Sequence, residues 1–231
     1  MINLIRLELK KAKLRWYFNG ATIATILIFA LIVGIQYVEK IESGSLPFTG
    51  LEEALIVIGV SVRSTFIVFA AVLLSKLVID EYKNKTILLM YSYPIERKKI
   101  MMVKLLIASS LTFITIVISN SIVAAAFLMF NHYVQLIPDS FSVQQFSLHF
   151  VRIVTFAIAA AGASLVPLYF GMRKQSVPAT IVSSLLIIVI TGQHNPAFSL
   201  ANIIYIPAAL AVFGILIAYW TVRNVNKVDV L

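Results

Sequence analysis

The sequence predicts an all-α membrane protein with six transmembrane helices, and three observations carry that expectation. Of 231 residues, 60% are hydrophobic and 13% are charged, whereas a soluble domain carries about 45 to 50% and about 25%. Apolar runs approaching the roughly 20 residues that cross a bilayer recur six times along the chain. Sixteen of the nineteen Lys and Arg residues fall on one side of those runs, the asymmetry that membrane topology demands.

In chain order the runs cover about residues 20–38, 54–79, 105–130, 150–170, 177–191 and 203–222. The stretches between them are too short for a soluble domain, so residues 1–231 read as a single transmembrane domain. Solid apolar runs, rather than short alternating strands, speak for helices over a β-barrel. Ahead of the first run, Ile2, Ile5, Leu9, Ala12 and Trp16 recur at helical spacing with Arg6, Lys10 and Lys13 opposite. That pattern predicts an amphipathic helix lying on the inner membrane face, with Trp16 and Tyr17 at headgroup level. A cleaved secretory signal is not expected, because the first run is long for a signal core and Gly34 to Lys40 offers no small-x-small site.

The basic side collects Arg6, Lys10, Lys11, Lys13 and Arg15, then Lys76, Lys83, Lys85, Arg97, Lys98, Lys99 and Lys104, then Arg173, Lys174, Arg223 and Lys227. The other side holds Lys40 and Arg152 among Glu39, Glu42, Glu52, Glu53 and Asp139. The positive-inside rule therefore expects both termini in the cytoplasm and the protein in the cell membrane. The net charge of +9 is mainly a topology signal, not the footprint of a nucleic-acid binder.

Catalytic constellations are missing from the sequence. With no Cys and three His, a disulfide scaffold, a redox protein and a Cys/His zinc site are all disfavoured. His132, His149 and His194 sit in separate segments on the outer side, and neither H-E-x-x-H nor G-x-S-x-G occurs. None of the nine glycines is followed by Lys, so no Walker A loop can form here, and no cofactor of the chain's own is expected. The chain reads as a non-enzyme.

Three polar features stand out inside the runs. Arg63 lies about nine residues into the second, on the order of 14 Å below its outer edge, at a cost of about 2.5 to 3.5 kcal/mol. A carbonyl, a tyrosine, a water-filled cavity, a second subunit or an anionic group on a ligand or lipid could serve as its partner. A structural role and a role on a transport path or subunit interface both fit. Ser119, Asn120 and Ser121 interrupt the third run, and Thr180, Ser183, Ser184 and Thr191 the fifth. Such groups commonly bond to neighbouring helices, and a polar path is the alternative. The fifth run is also short: 178–191 spans about 21 Å as a helix against roughly 30 Å of hydrocarbon. The stretch 192–207 that follows is apolar but broken by Gly and Pro, which predicts a re-entrant hairpin between the fifth and sixth crossings.

The longest inner segment, 76–104, has acidic Asp80 and Glu81, an amphipathic middle at Ile87, Leu88, Leu89, Met90 and Tyr91, a break at Pro94 and a basic cluster beyond it. A headgroup-binding loop would suit the charges. The apolar middle favours a helix that docks a cytoplasmic partner, since that surface would otherwise stay exposed.

At Glu81, Lys83, Asn84 and Thr86, then Ser92, Pro94, Ile95, Arg97, Ile100 and Lys104, the chain resembles six-span permease subunits of ABC-2 type ATP-binding-cassette transporters, especially the group linked to bacitracin and lantibiotic resistance. The likeness extends over nearly the whole chain. Lys85 departs from it, standing where many relatives have Gly. The resemblance implies an export permease that pairs as a homo- or heterodimer and rests on two separate cytoplasmic ATPase subunits, which would hold the ATP and Mg. The segment from Glu81 to Arg97, with Lys98, would form the coupling helix between the second and third spans and dock on the ATPase. Arg63, Asn120 and Ser183 are then candidates for the translocation path or the interface. Antimicrobial peptides or other amphipathic molecules are the cargo it favours. A secondary transporter or a non-transporting membrane assembly protein is the alternative, but the first would need titratable groups near the midplane and usually internal repeats.

Overall fold

The structure, a computed structural model, describes residues 2–12, 14–42, 50–84, 96–134, 143–191, 194–195, 198–199 and 205–224. Helices dominate them. In order they are α1 (Ile2–Lys11), α2 (Arg15–Glu42), α3 (Leu51–Leu74), a π-helical turn (Ser75–Ile79), α4 (Asp80–Lys83), α5 (Arg97–Val134), α6 (Val143–Ala163), α7 (Pro167–Lys174), α8 (Val177–Thr191) and α9 (Tyr205–Asn224). One short ladder, β1 (His194–Asn195) with β2 (Phe198–Ser199), pairs antiparallel in the register His194 with Ser199 and Asn195 with Phe198.

Among the described residues, five stretches are long and apolar enough to cross a membrane: Arg15–Val38, Leu51–Lys83, Arg97–Val134, Ser147–Lys174 and Tyr205–Asn224. The chain is therefore a multi-pass α-helical membrane protein. The shorter apolar helix α8, Val177–Thr191, covers the expected fifth crossing. Its C-terminal Thr191 and Pro207 of α9 line the same small cavity as Arg63. By helix rise, α8 thus stops about 18 Å short of the Leu51 end of α3.

α3 is the central post, packing on α2, α5, α6 and α8. Its buried stripe, Ala54, Ile58, Val62, Phe66 and Ala70, advances by four residues at each step, the spacing that keeps side chains on one face. Between membrane helices lipid is as apolar as the core, so close approach and hydrogen bonds must hold the bundle. α6 and α9 show the first. A Cβ on Gly162 would stand 2.7 Å from that of Ala211, and one on Gly214 would run into the Gly162 carbonyl. α2 and α5 show the second, through Tyr17 Oη to Thr115 Oγ1 at 3.1 Å and Thr25 Oγ1 to Ser119 Oγ at 2.9 Å.

Several sequence expectations are corrected here. Tyr17, expected to be an interface anchor, is fully buried in the bundle with its hydroxyl on α5. Trp16 carries the Lys76 ammonium 3.7 Å above its ring. The continuous fourth run breaks at 164–166, where N–H groups reach back three residues (Leu165 to Gly162, 3.1 Å; Val166 to Ala163, 3.0 Å). Pro167 is the cause, since it supplies no N–H and its ring collides with the preceding turn. In α8 the hydroxyls of Thr180, Ser183, Ser184 and Thr191 bond their own helix's carbonyls, at 2.6 to 3.1 Å, rather than a neighbour. The expected docking helix around residues 87–91, with Thr86 and Pro94, lies outside the described residues.

Candidate functional site

Two polar sites stand at opposite ends of the bundle. At the basic end, α1, the π-helical turn, α4 and the start of α5 converge on Lys104. Its ammonium lies 3.1 Å from Glu8 Oε2, 2.9 Å from Glu81 Oε2 and 2.9 Å from the Leu77 carbonyl. Glu81 in turn accepts Lys11 Nζ through Oε1 at 2.7 Å. The Lys104 side chain is 1% exposed, Glu8 4% and Glu81 12%, while Lys11 stays half in solvent.

Local chemistry explains the convergence. A π-helical turn carries one residue more than an α-turn and often marks a functional position; here Leu77, within that turn, turns its carbonyl to the ammonium. Of the expected stripe, Ile5, Ala12 and Trp16 do pack against the core, as does Leu4, but Leu9 is 36% exposed and Glu8 turns inward in its place. Two cations and two carboxylates make the quartet neutral, the condition under which buried charge is tolerated. α1 is thereby fastened to the two helix ends that flank residues 85–95.

Among the residues expected to couple to a partner, Glu81 is inside this cluster. Lys83 and Asn84 are exposed at the end of α4, and Arg97 and Lys98 are exposed at the start of α5. Lys98 also stands with Lys99 and Arg223 at the mouth of a groove of about 1100 Å³ between α5, α6 and α9, whose walls include Met102, Phe113 and Tyr219. Glu8 went unnoticed in the sequence. Its signal was there: it is the one carboxylate among the first 38 residues, surrounded by Arg6, Lys10 and Lys11.

At the opposite end Arg152 Nη1 pairs with Glu52 Oε1 at 3.3 Å, joining the middle of α6 to the start of α3. From that pair a crevice leads inward along α3. It is lined by Gly59, Arg63, Asn120, His149, Arg152 and Phe156. Arg63 donates from Nε to the Gly59 carbonyl at 3.1 Å, and its guanidinium lies 4.2 Å over the Phe156 ring. Asn120 is 3% exposed. Its Oδ1 and the buried Nε2 of His149 have no hydrogen-bond partner among the described residues. The structure so brings Arg63 and Asn120 together from α3 and α5. Ser183 lies apart, buried on α8 and bonded to the Thr180 carbonyl at 2.8 Å. His149, Arg152 and Phe156 were not expected, because their run gives no hint of which face meets α3.

Among the described residues no group of three or more His, Asp or Glu is placed to hold a metal ion. No protein-family model matches the sequence, and no solved structure matches it. Over 228 residues, 99% of this chain and 100% of the other, the sequence is 48% identical to the "Uncharacterized protein YcbO" of Bacillus subtilis (strain 168), and the chain belongs to the YcbO family.

Proposed function

We propose that the chain is the membrane-spanning permease subunit of an ATP-binding-cassette exporter of the ABC-2 type, working as a dimer on separate cytoplasmic ATPase subunits. The observation that carries this reading is the buried Glu8–Lys104–Glu81 cluster. It ties the two ends of the segment that carries the ABC-2 resemblance to each other and to α1. A push on residues 85–95 would reach α3, α5 and α1 together, because separating any one of them would leave a buried charge unpaired. ATP-driven closure of the partner then biases one arrangement of two packed halves over another. This chain supplies the gate; the nucleotide chemistry belongs to the partner.

In this reading both termini are cytoplasmic, α1 lies at the inner interface, α8 is the fifth of six crossings, and the segment between the fifth and sixth crossings is re-entrant. The ends of α8 and α9 at the depth of Arg63 support the last of these, since a chain leaving one helix at mid-depth and starting the next there need not traverse the outer leaflet. The apolar groove with Lys98, Lys99 and Arg223 at its mouth suits a peptide antibiotic or another amphipathic cargo.

The test is co-purification of the full chain from its native membrane in mild detergent, with mass identification of what accompanies it. A P-loop ATPase is the expected companion, and Arg97→Glu with Lys98→Glu is expected to cut its recovery at least about tenfold while insertion persists. A chain that comes alone from intact membranes overturns the proposal and favours a secondary transporter or an assembly protein.

A further inference from the structure

The quartet at the basic end is electrically balanced; the crevice at the other end is not. Arg152 is matched by Glu52, which leaves the Arg63 guanidinium, inside the membrane-spanning part of α3, with no carboxylate partner among the described residues. Only its Nε has a hydrogen-bond partner among the described residues, the Gly59 carbonyl. Stacking on Phe156 occupies one face of the plane, and the remaining N–H groups lie in the plane's edge, where bidentate recognition of an oxyanion takes place. The same crevice is lined by Asn120 and His149, whose buried Oδ1 and Nε2 have no hydrogen-bond partner among the described residues. His149 offers an N–H as its Nε2–H tautomer, while Asn120, whose unbonded atom is the acceptor Oδ1, offers one with its amide turned so that Nδ2 takes that place.

We infer that this crevice binds one anionic oxygen group, a phosphate or carboxylate, held by Arg63 with Asn120 and His149 and admitted past the Arg152–Glu52 pair. Three features favour an anion over plain solvation. Arg63 leans one turn toward the outer end of α3, as its bond to Gly59 requires, so its charge meets the crevice rather than the lipid. The lining of the crevice includes Arg152 and no carboxylate, its partner Glu52 lying outside that lining, so the charged side chains an entering group meets there are cationic. The space is small, about 30 Å³, enough for a few oxygen atoms and too little for a bulky head. The same chemistry serves a lipid phosphate and a soluble anion. The inference does not depend on an ATPase partner.

Two arms separate the sources. In the first, the full chain in neutral detergent is titrated with inorganic phosphate and its melting temperature is followed, since a ligand that binds the folded state raises it. In the second, the chain is recovered from vesicles of phosphatidylcholine with one-fifth phosphatidylglycerol, and retained lipid is counted by native mass spectrometry. A response in either arm, reduced about tenfold in Arg63→Gln and in Asn120→Ala, partly kept by Arg63→Lys and untouched by Arg173→Gln at the basic end, is the expected result. It also names the source. Silence in both arms, or equal responses in wild type and both crevice variants, overturns the site and leaves Arg63 with its bond to Gly59 and its stacking on Phe156 alone. If Arg63→Gln fails to fold, Asn120→Ala decides by itself.

Discussion

Lys104 shows at the residue scale how a buried cation becomes structural. Removing it leaves Glu8, 4% exposed, without its cation, and stranding one partner of a buried pair costs about 3 to 5 kcal/mol. Lys104→Met is therefore expected to lower the thermal stability of the detergent-solubilised chain strongly. Adding Glu8→Leu should restore most of the loss, because Glu81 still has Lys11. A double-mutant cycle with no coupling between positions 8 and 104 would show that the pair does not hold α1. The sequence displayed Lys104 within its most family-like stretch and Glu8 as a lone carboxylate. It could not display that the two meet, since 96 residues and two loops separate them.

Helix lengths and stops were mostly visible in advance, and the exceptions have local causes. α8 falls at 177–191 as expected, while the fourth run is divided because Pro167 ends α6 in a tightened turn. α7 closes on Gln175, a non-glycine in the left-handed region at φ 44° and ψ 41°. A side chain with a Cβ pays about 1 to 2 kcal/mol there, and glycine relieves it. Gln175→Gly is expected to raise stability by about 1 kcal/mol, and Gln175→Val to lower it, in the same melting measurement. Equal stabilities for the two variants would contradict the left-handed cap between α7 and α8. Nothing in the spelling Lys-Gln-Ser announced it, because left-handed conformation is signalled by Gly or Asn and this stop uses neither.

For the molecule as a whole, the absence of native cysteine makes topology directly measurable. Lys83 is exposed at the end of α4 and Tyr133, 85% exposed, lies at the far end of α5. In intact cells a membrane-impermeant maleimide is expected to label Tyr133→Cys and not Lys83→Cys; the reverse pattern would invert the proposed orientation. Composition and hydropathy alone determined that this chain lives in a bilayer as a bundle of helices, because the demand that lipid makes on every backbone polar group is met locally, run by run. The charge count alone set the expected polarity of the bundle for the same reason. Tertiary structure decided which polar side chains come together: Glu8 bonds Lys104, Tyr17 bonds Thr115, and Arg63 and Asn120 line one crevice. Those pairings depend on the rotation of each helix about its axis, which apolar runs that are hydrophobic on every side leave undefined, and which close packing against a particular neighbour alone selects.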